Sequence, residues 1–143
     1  MKFCFSCNTN KPKNKFNKNK TRSDGFQTQC RECFKNRRAT NQYKATQLLS
    51  SAKNRCSKVT ITSDWIAEKL KQGVCELTGL PFDLSKHKNF VRNPYSPSLD
   101  RINNKLHEYT PENTRVVIWS VNCAINEFGL ETMLPIFKKL AKL

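Results

Sequence analysis

The sequence has no long apolar run. No stretch approaches the roughly eighteen consecutive apolar residues that a transmembrane helix needs. The first residues, MKFCFSCNTNK, also lack the apolar segment of a secretory signal peptide. These absences argue against a membrane-spanning or secreted protein, and we expect a soluble, cytoplasmic protein without a membrane partner.

Acidic residues are scarce as well. Eleven Asp and Glu stand against 26 Lys and Arg, which gives a net charge of +15. Residues 1–58 contain fifteen Lys and Arg but only Asp24 and Glu32, whereas residues 59–143 contain eleven Lys and Arg and nine acids. A basic block of this kind indicates a polyanionic partner, most often nucleic acid, bound through counterion release. A solvated face that only keeps the protein soluble is the alternative.

Apolar residues make up only 37% of the 143 positions, and the mean hydropathy is -0.69. This composition favours one small core plus a metal-stabilised module over two full hydrophobic cores. Seven cysteines, an odd number, favour metal ligation over disulfides in a reducing compartment.

The N-terminal cysteines have the spacing of a zinc ribbon. Four of them form the pattern C-x2-C-x22-C-x2-C: Cys4, Cys7, Cys30 and Cys33. Four thiolates from two tight turns can surround one zinc ion, whose binding then folds a segment with few apolar residues. Asp24 and Gly25 predict a hairpin between the two pairs. Unligated or redox-active cysteines are the alternative.

No Gly or Pro occurs between Arg31 and Cys56, and apolar residues recur there at helical spacing. We therefore expect one long helix after the ribbon. The basic residues of this helix either contact the phosphates of a nucleic acid or only keep the helix soluble. The candidate nucleic-acid contacts are Lys35, Arg37 and Arg38. A second helix is predicted from Ser63, as N-cap, to Gly73.

The C-terminal segment LETMLPIFKKLAKL predicts an amphipathic helix. We expect its apolar face to pack on the preceding core, although a membrane or a partner could also take it. Pro135 should kink this helix or set its start.

The segment from Ser96 to Ala124 predicts strand, long polar loop, strand and helix. PSLDRI and TRVVIWSV have strand character, the loop NNKLHEYTPEN joins them, and Ser120 can cap the helix. Such a unit brings Asp100 and Asn122 close together. A carboxylate and an amide oxygen suit magnesium or manganese, which could polarise a phosphodiester.

These residues resemble two parts of known nucleases. SLDRI, YTPENTRVV and VN resemble the ββα-metal finger of HNH endonucleases, and the paired CxxC motifs resemble the N-terminal zinc ribbon of phage recombination endonuclease VII relatives. The two likenesses cover residues 1–40 and 74–127.

The resemblance implies an α+β fold and metal-dependent hydrolysis of a nucleic-acid backbone. It implies that Asp100 and Asn122 are metal ligands and that Asn113 organises the loop between the strands. From the residues alone, Asn113 equally suits an ordinary turn, and Asn122 a bond to neighbouring backbone.

One position departs from the HNH pattern. Arg101 occupies the place of the histidine that deprotonates the attacking water, and an arginine stays protonated at neutral pH and cannot accept a proton. His107 in the loop could supply the base, or it is an ordinary exposed histidine; His87, between Lys86 and Lys88, belongs to a basic loop. Arg101 and Arg115 suit phosphate binding, with structural pairing to Glu112 or Asp100 as the alternative.

We therefore predict an α+β protein in three segments: a basic zinc ribbon (1–40), a helical connector (41–73) and an HNH-like ββα-metal domain with a C-terminal helix (74–143). The predicted activity is cleavage of nucleic acid, DNA by preference, with structural zinc and catalytic magnesium or manganese. The alternative is a weak or inactive phage-type regulator, acting in a host cell, that uses this fold to bind nucleic acid or a protein. DNA against RNA, substrate branching and oligomeric state stay open.

Overall fold

The structure is a computed structural model of the chain and describes residues 1–85 and 87–143; Lys86, predicted to lie in a basic loop, is outside the described residues. The chain forms two compact units, Met1–Tyr43 and Lys44–Leu143, called here the N-terminal unit and the C-terminal unit. The mixture of helices and strands confirms the predicted α+β class. The division into segments 1–40, 41–73 and 74–143 stays a prediction.

The elements are short. The strands are β1 (Lys2–Cys4), β2 (Thr9–Lys11), β3 (Phe16–Lys18), β4 (Phe26–Cys30), β5 (Lys58–Val59), β6 (Pro97–Arg101), β7 (Glu108–Tyr109) and β8 (Thr114–Ile118). The helices are α1 (Arg31–Arg38), α2 (Asn41–Arg55), α3 (Ser63–Lys71), α4 (Trp119–Ile125) and α5 (Gly129–Leu140).

The N-terminal unit is built from two antiparallel hairpins, β1–β2 and β3–β4. In the turn before β4, Asp24 Oδ1 accepts a hydrogen bond from the Phe26 N–H at 3.1 Å, and Gly25 adopts a left-handed conformation with φ of 73°. This matches the predicted Asp-Gly turn. The buried apolar cluster of this unit consists of Cys4, Phe16 and Cys30. So small a core cannot stabilise the unit without further support.

The predicted continuous helix after the ribbon is wrong, because it divides between Arg38 and Asn41. Thr40 Oγ1 donates to the carbonyl of Arg37 at 2.7 Å and accepts from the N–H of Tyr43 at 3.1 Å. A hydroxyl that bonds the backbone in this way favours a helix start over a helix interior. Neither Gly nor Pro is needed for the break.

The core of the C-terminal unit lies between α2, α3 and one face of the β6–β8 hairpin. Its buried side chains include Ala45, Leu48, Ala52, Cys56, Ile66, Ala67, Leu70, Leu99, Tyr109 and Val116. Of the apolar positions predicted at helical spacing, Ala45, Leu48 and Ala52 are buried in α2, whereas Leu49 is only partly buried and the buried Cys56 follows the end of the helix. This core holds β6 and β8 in place.

β6 and β8 pair antiparallel, with Leu99 opposite Val116 and Asp100 opposite Arg115. Successive side chains of a strand point to opposite faces. Because Leu99 and Val116 enter the core, Asp100 and Arg115 are neighbours on the other face. The predicted order of strand, loop, strand and helix is confirmed except that the loop contains the short strand β7; α4 follows β8 directly.

Two predicted helix caps are shifted. Thr62, not Ser63, caps α3, because its Oγ1 accepts a hydrogen bond from the Trp65 N–H at 3.1 Å. Ser120 lies inside the first turn of α4 and does not cap it; its N–H donates to the carbonyl of Pro94 at 3.1 Å. Backbone carbonyls of the preceding loop therefore satisfy the start of α4.

α5 differs from its prediction in how it packs. It begins at Gly129 and contains Pro135 in its interior, and none of its residues is buried. Leu134 and Leu140 are 42% and 57% exposed, so the predicted packing on the core is only partial. Among the described residues, no helix is both long and apolar enough to cross a membrane.

Candidate metal centre and active-site cleft

The four cysteines of the two CxxC motifs meet at one point of the N-terminal unit. The Sγ atoms of Cys4, Cys7, Cys30 and Cys33 all lie within 4.8 Å of one another. Four sulfurs bound tetrahedrally to one zinc ion at about 2.3 Å are about 3.8 Å apart. The residues therefore fit a Cys4 metal site such as zinc requires, as the spacing predicts.

Backbone N–H groups favour ionisation of two of the four cysteines, Cys4 and Cys30, whereas a hydrogen bond with Cys30 and burial raise the pKa of Cys33 to about 12. Burial opposes ionisation of Cys4, but N–H groups of Cys30, Cys7 and Ser6 donate to its sulfur and lower its pKa to about 6. The Cys33 N–H likewise lowers the pKa of Cys30, outweighing its burial. A metal-binding cysteine must be a thiolate, so these donors favour the metal-bound form.

Lys11 adds a positive charge at the edge of the cluster. Its Nζ lies 3.6 Å from Cys30 Sγ and 3.1 Å from Glu32 Oε2. The Glu32 carboxylate and then the thiolate raise the pKa of Lys11, against the effect of its desolvation. Lys11 thus offsets part of the negative charge that four thiolates bring together.

In the C-terminal unit, Asp100 is buried and ion-paired. Its side chain is 3% exposed, and Arg115, 13% exposed, donates from Nε to Asp100 Oδ2 at 2.6 Å. This is one of the two structural pairings that the sequence left open for Arg115. The ion pair with Arg115 engages one oxygen of the Asp100 carboxylate. A metal bond needs only one oxygen, so the other one can serve as the ligand.

The first turn of α4 places Asn122 against β6. Its Nδ2 donates to the backbone carbonyl of Leu99 at 2.9 Å and to Ser98 Oγ at 2.8 Å. A carbonyl oxygen can only accept, so the orientation of the amide is fixed by chemistry. The free oxygen Oδ1 is therefore the atom of Asn122 that is left to bind a ligand.

Asn113 closes the loop between the strands. Its Nδ2 donates to the carbonyls of Asn103 and Glu108 at 3.2 and 3.1 Å, and its Oδ1 accepts from the Asn103 N–H at 2.8 Å. With its side chain fully engaged and buried, Asn113 fixes the loop that carries His107. A role in organising the site agrees with this geometry.

Arg101 and His107 lie side by side. Arg101 Nη1 is 3.5 Å from His107 Nδ1 and 3.4 Å from Cys56 Sγ, and its guanidinium lies 5.7 Å from the ring centre of Tyr109. His107 adopts a left-handed backbone conformation with φ of 47°, which turns the loop back at this point. The loop histidine therefore lies beside Arg101, the position where the sequence resemblance leads us to expect a histidine.

Four of the five predicted catalytic residues line one cleft of about 500 Å³; because of those predictions this candidate site is called here the active-site cleft. They are Asp100, Arg101, His107 and Asn122. Asn113 supports the loop behind it and is not part of the lining. Sequence reasoning missed Arg55, which also lines this cleft; its position in the last turn of a basic helix was a signal too general to single it out.

The predicted nucleic-acid contacts of α1 are exposed on the N-terminal unit. Arg37 lies over the rings of Phe34 and Tyr43, at 5.3 and 5.4 Å, and Arg38 lies 5.6 Å from the ring centre of Phe34. Stacking on aromatic rings holds a guanidinium in place without neutralising it. Lys35 is exposed beside them.

Comparisons with known proteins identify the fold. No protein-family model matches the chain. No curated protein matches it either. Among solved structures, the chain is similar to the rare-cutting HNH restriction endonuclease PacI, described for its mechanism of DNA perturbation, with a TM-score of 0.51 and 17% identity. The match covers 99% of this chain and 94% of that chain, so the likeness is one of fold, an HNH-like fold.

Proposed function

We propose that this protein is a divalent-metal-dependent nuclease that hydrolyses phosphodiester bonds, with DNA as its substrate. The observation that carries the proposal is the convergence of Asp100, Arg101, His107 and Asn122 on one cleft of an HNH-type fold. The net charge of +15 supports a polyanionic substrate. Fold alone does not establish a function, so these residues are the argument.

Asp100 and Asn122 would hold the catalytic cation. They offer a carboxylate and an amide oxygen, the hard ligands that magnesium and manganese prefer, and the cleft has room for bound waters. When bound, the cation supplies charge stabilisation at the reacting phosphate. The protein contributes the fixed orientation of Asn122 and a buried position for Asp100.

Arg101 would bind a non-bridging phosphate oxygen. Its guanidinium is held by Cys56, His107 and Tyr109, so it enters the cleft already oriented. Arg115 is committed to Asp100, and we therefore assign it no direct phosphate contact. This narrows the predicted role of Arg115 to positioning Asp100.

The N-terminal unit would add affinity through its basic surface. We propose that the Cys4 site binds zinc as a ribbon, similar to that of phage endonuclease VII relatives, and that Lys35, Arg37 and Arg38 contact phosphates. With such a ribbon, the protein would be a phage-encoded nuclease that acts in the cytoplasm of a host cell.

Two observations favour a second candidate, a non-catalytic binding protein of phage type. Arginine stands where the fold family's base is expected, and Asp100 already has a cationic partner in Arg115. In this case the cleft would hold a phosphate or an acidic protein surface without cutting. The two candidates share the fold and differ in chemistry.

A cleavage assay with supercoiled plasmid distinguishes the two candidate functions. The purified full chain, given magnesium or manganese, should convert supercoiled plasmid to nicked or linear forms, and EDTA should stop the conversion. Structured RNA assayed in parallel decides the substrate class. If neither nucleic acid is cut while labelled DNA is still bound, the nuclease proposal fails and the binding protein stands.

His107 is the proposed base, and its removal should slow cutting. We expect His107→Gln to lower the cleavage rate by about 10² to 10⁴, the usual contribution of a general base, with DNA affinity unchanged. The readout is the single-turnover nicking rate of plasmid at saturating protein.

The matched control is His87→Gln, since the chain has two histidines and His87 does not line the active-site cleft. This variant should cut like the wild type. Full activity in His107→Gln would remove His107 as the base while leaving the nuclease assignment in place.

A further inference from the structure

A second cleft, here called the flanking cleft, opens on the other side of Asn122. It has a volume of about 400 Å³ and shares Arg55, Asn122 and Asn126 with the active-site cleft. Asn122 therefore lies on the border between two neighbouring depressions of the C-terminal unit. A chain that crosses the proposed cation site would occupy both of them.

The flanking cleft is basic. Arg55 and Arg92 line it, and none of the described residues in its lining is a carboxylate. Within the described part of the chain, neither arginine forms an ion pair with an acid. The positive charge of Arg92 also affects Lys44, whose pKa is lowered first by burial and then by that charge. Unneutralised positive charge of this kind attracts an anion from outside the unit.

Arg92 is held in place by an aromatic ring. Its guanidinium lies 5.3 Å from the ring centre of Trp119, the first residue of α4. Arg55 is anchored too, since its Nε donates to the carbonyl of Ser51 at 3.1 Å. Oriented guanidiniums lose little freedom on binding, and their planar forks match phosphate oxygens.

We infer that the flanking cleft is a subsite for the phosphate next to the one that is cut, held by Arg92 on Trp119 and by Arg55. This inference rests on the proposed function, because it takes the chain bound in the active-site cleft to be the DNA strand that is cut. Because Arg92 covers a face of the Trp119 ring, that face is not available to stack a base. Contacts from the two guanidiniums to phosphate oxygens are independent of sequence.

Binding of a short labelled DNA duplex across a sodium chloride series, without divalent metal, tests the subsite. Arg92→Gln keeps a side chain over Trp119 but removes the charge. Its slope of log affinity against log salt should fall by about one, and its affinity at low salt should fall about tenfold. Arg92→Lys, which retains the charge, should restore most of the slope.

Lys71→Gln is the matched control, because it also removes one positive charge but lies outside both clefts, paired with Glu68. It should keep the wild-type slope, and melting curves should show that all variants fold. A wild-type slope in Arg92→Gln overturns the subsite, whatever the plasmid assay shows. If Arg92→Gln has a reduced slope but the wild type does not cut plasmid, the phosphate subsite stands and only the nuclease proposal fails.

Discussion

Replacing Cys30 with serine should unfold the N-terminal unit and leave the C-terminal unit folded. Structural zinc sites contribute about 10 to 16 kcal/mol of apparent binding free energy at neutral pH. The only large apolar side chain fully buried in this unit is Phe16, within the described residues, and its burial contributes only about 1.5 to 3 kcal/mol. Without the metal, that burial cannot offset the conformational entropy of some forty residues.

The measurement is an amide NMR spectrum of the full chain, with zinc content determined on the same sample. In Cys30→Ser, resonances of the N-terminal unit should collapse to unfolded positions while those of the C-terminal unit stay dispersed. A strong chelator should have the same effect on the wild type.

Cys123→Ser supplies the control, because Cys123 is exposed and outside the cluster. It should keep its zinc and its spectrum. A dispersed N-terminal spectrum in zinc-free Cys30→Ser would show that the cysteine cluster is not what folds this unit.

The features that the sequence predicted are those that local spacing determines. Two CxxC motifs can converge on one ion wherever the intervening hairpin forms, and the Asp-Gly turn provides that hairpin. The order of β6, β8 and α4 follows from the strand and helix character of successive segments. The buried face of α2 follows from apolar spacing.

The features that it missed depend on competition between close alternatives. Thr62 and Ser63 are both good caps, and only the direction of the chain entering α3 chooses between them. The division of the long helix at Thr40 depends on one hydroxyl that bonds two backbone groups. Neither choice leaves a spacing signal.

Contacts between distant parts of the chain were the least predictable. Arg115 could pair with Glu112 or Asp100, and the register of β6 against β8 decides for Asp100. Arg55 and Arg92 reach the clefts from segments far from Asn122 in sequence. Such positions follow from packing of the C-terminal unit and not from any local motif.

Replacing Asp100 with asparagine should lower the cleavage rate by about 10³-fold or more. Asparagine has nearly the same shape but no charge, and a catalytic metal contributes several kcal/mol of transition-state stabilisation, at about 1.4 kcal/mol per tenfold in rate. The readout is the single-turnover nicking rate with magnesium or manganese. DNA affinity should change little, because the charge of the Asp100 carboxylate is already paired with Arg115.

The ion pair complicates this variant, since removing one partner of a buried pair costs about 3 to 5 kcal/mol of stability. Arg115→Gln breaks the same pair from the other side and leaves the carboxylate in place. If Asp100 binds the cation, Arg115→Gln should lose stability and cut more slowly, because Arg115 positions Asp100, but its cutting should still require the metal and should fall less than that of Asp100→Asn. Urea unfolding of both variants measures the shared cost.

The cation itself then distinguishes the two roles of Asp100. In Arg115→Gln the buried carboxylate has lost its positive partner, so magnesium or manganese should raise the melting temperature of this variant more than that of the wild type. In Asp100→Asn the metal should raise it little. Equal metal responses in both variants, together with unchanged cutting in Asp100→Asn, would mean that Asp100 serves only its ion pair with Arg115. Any cation that supports cutting would then be bound without Asp100.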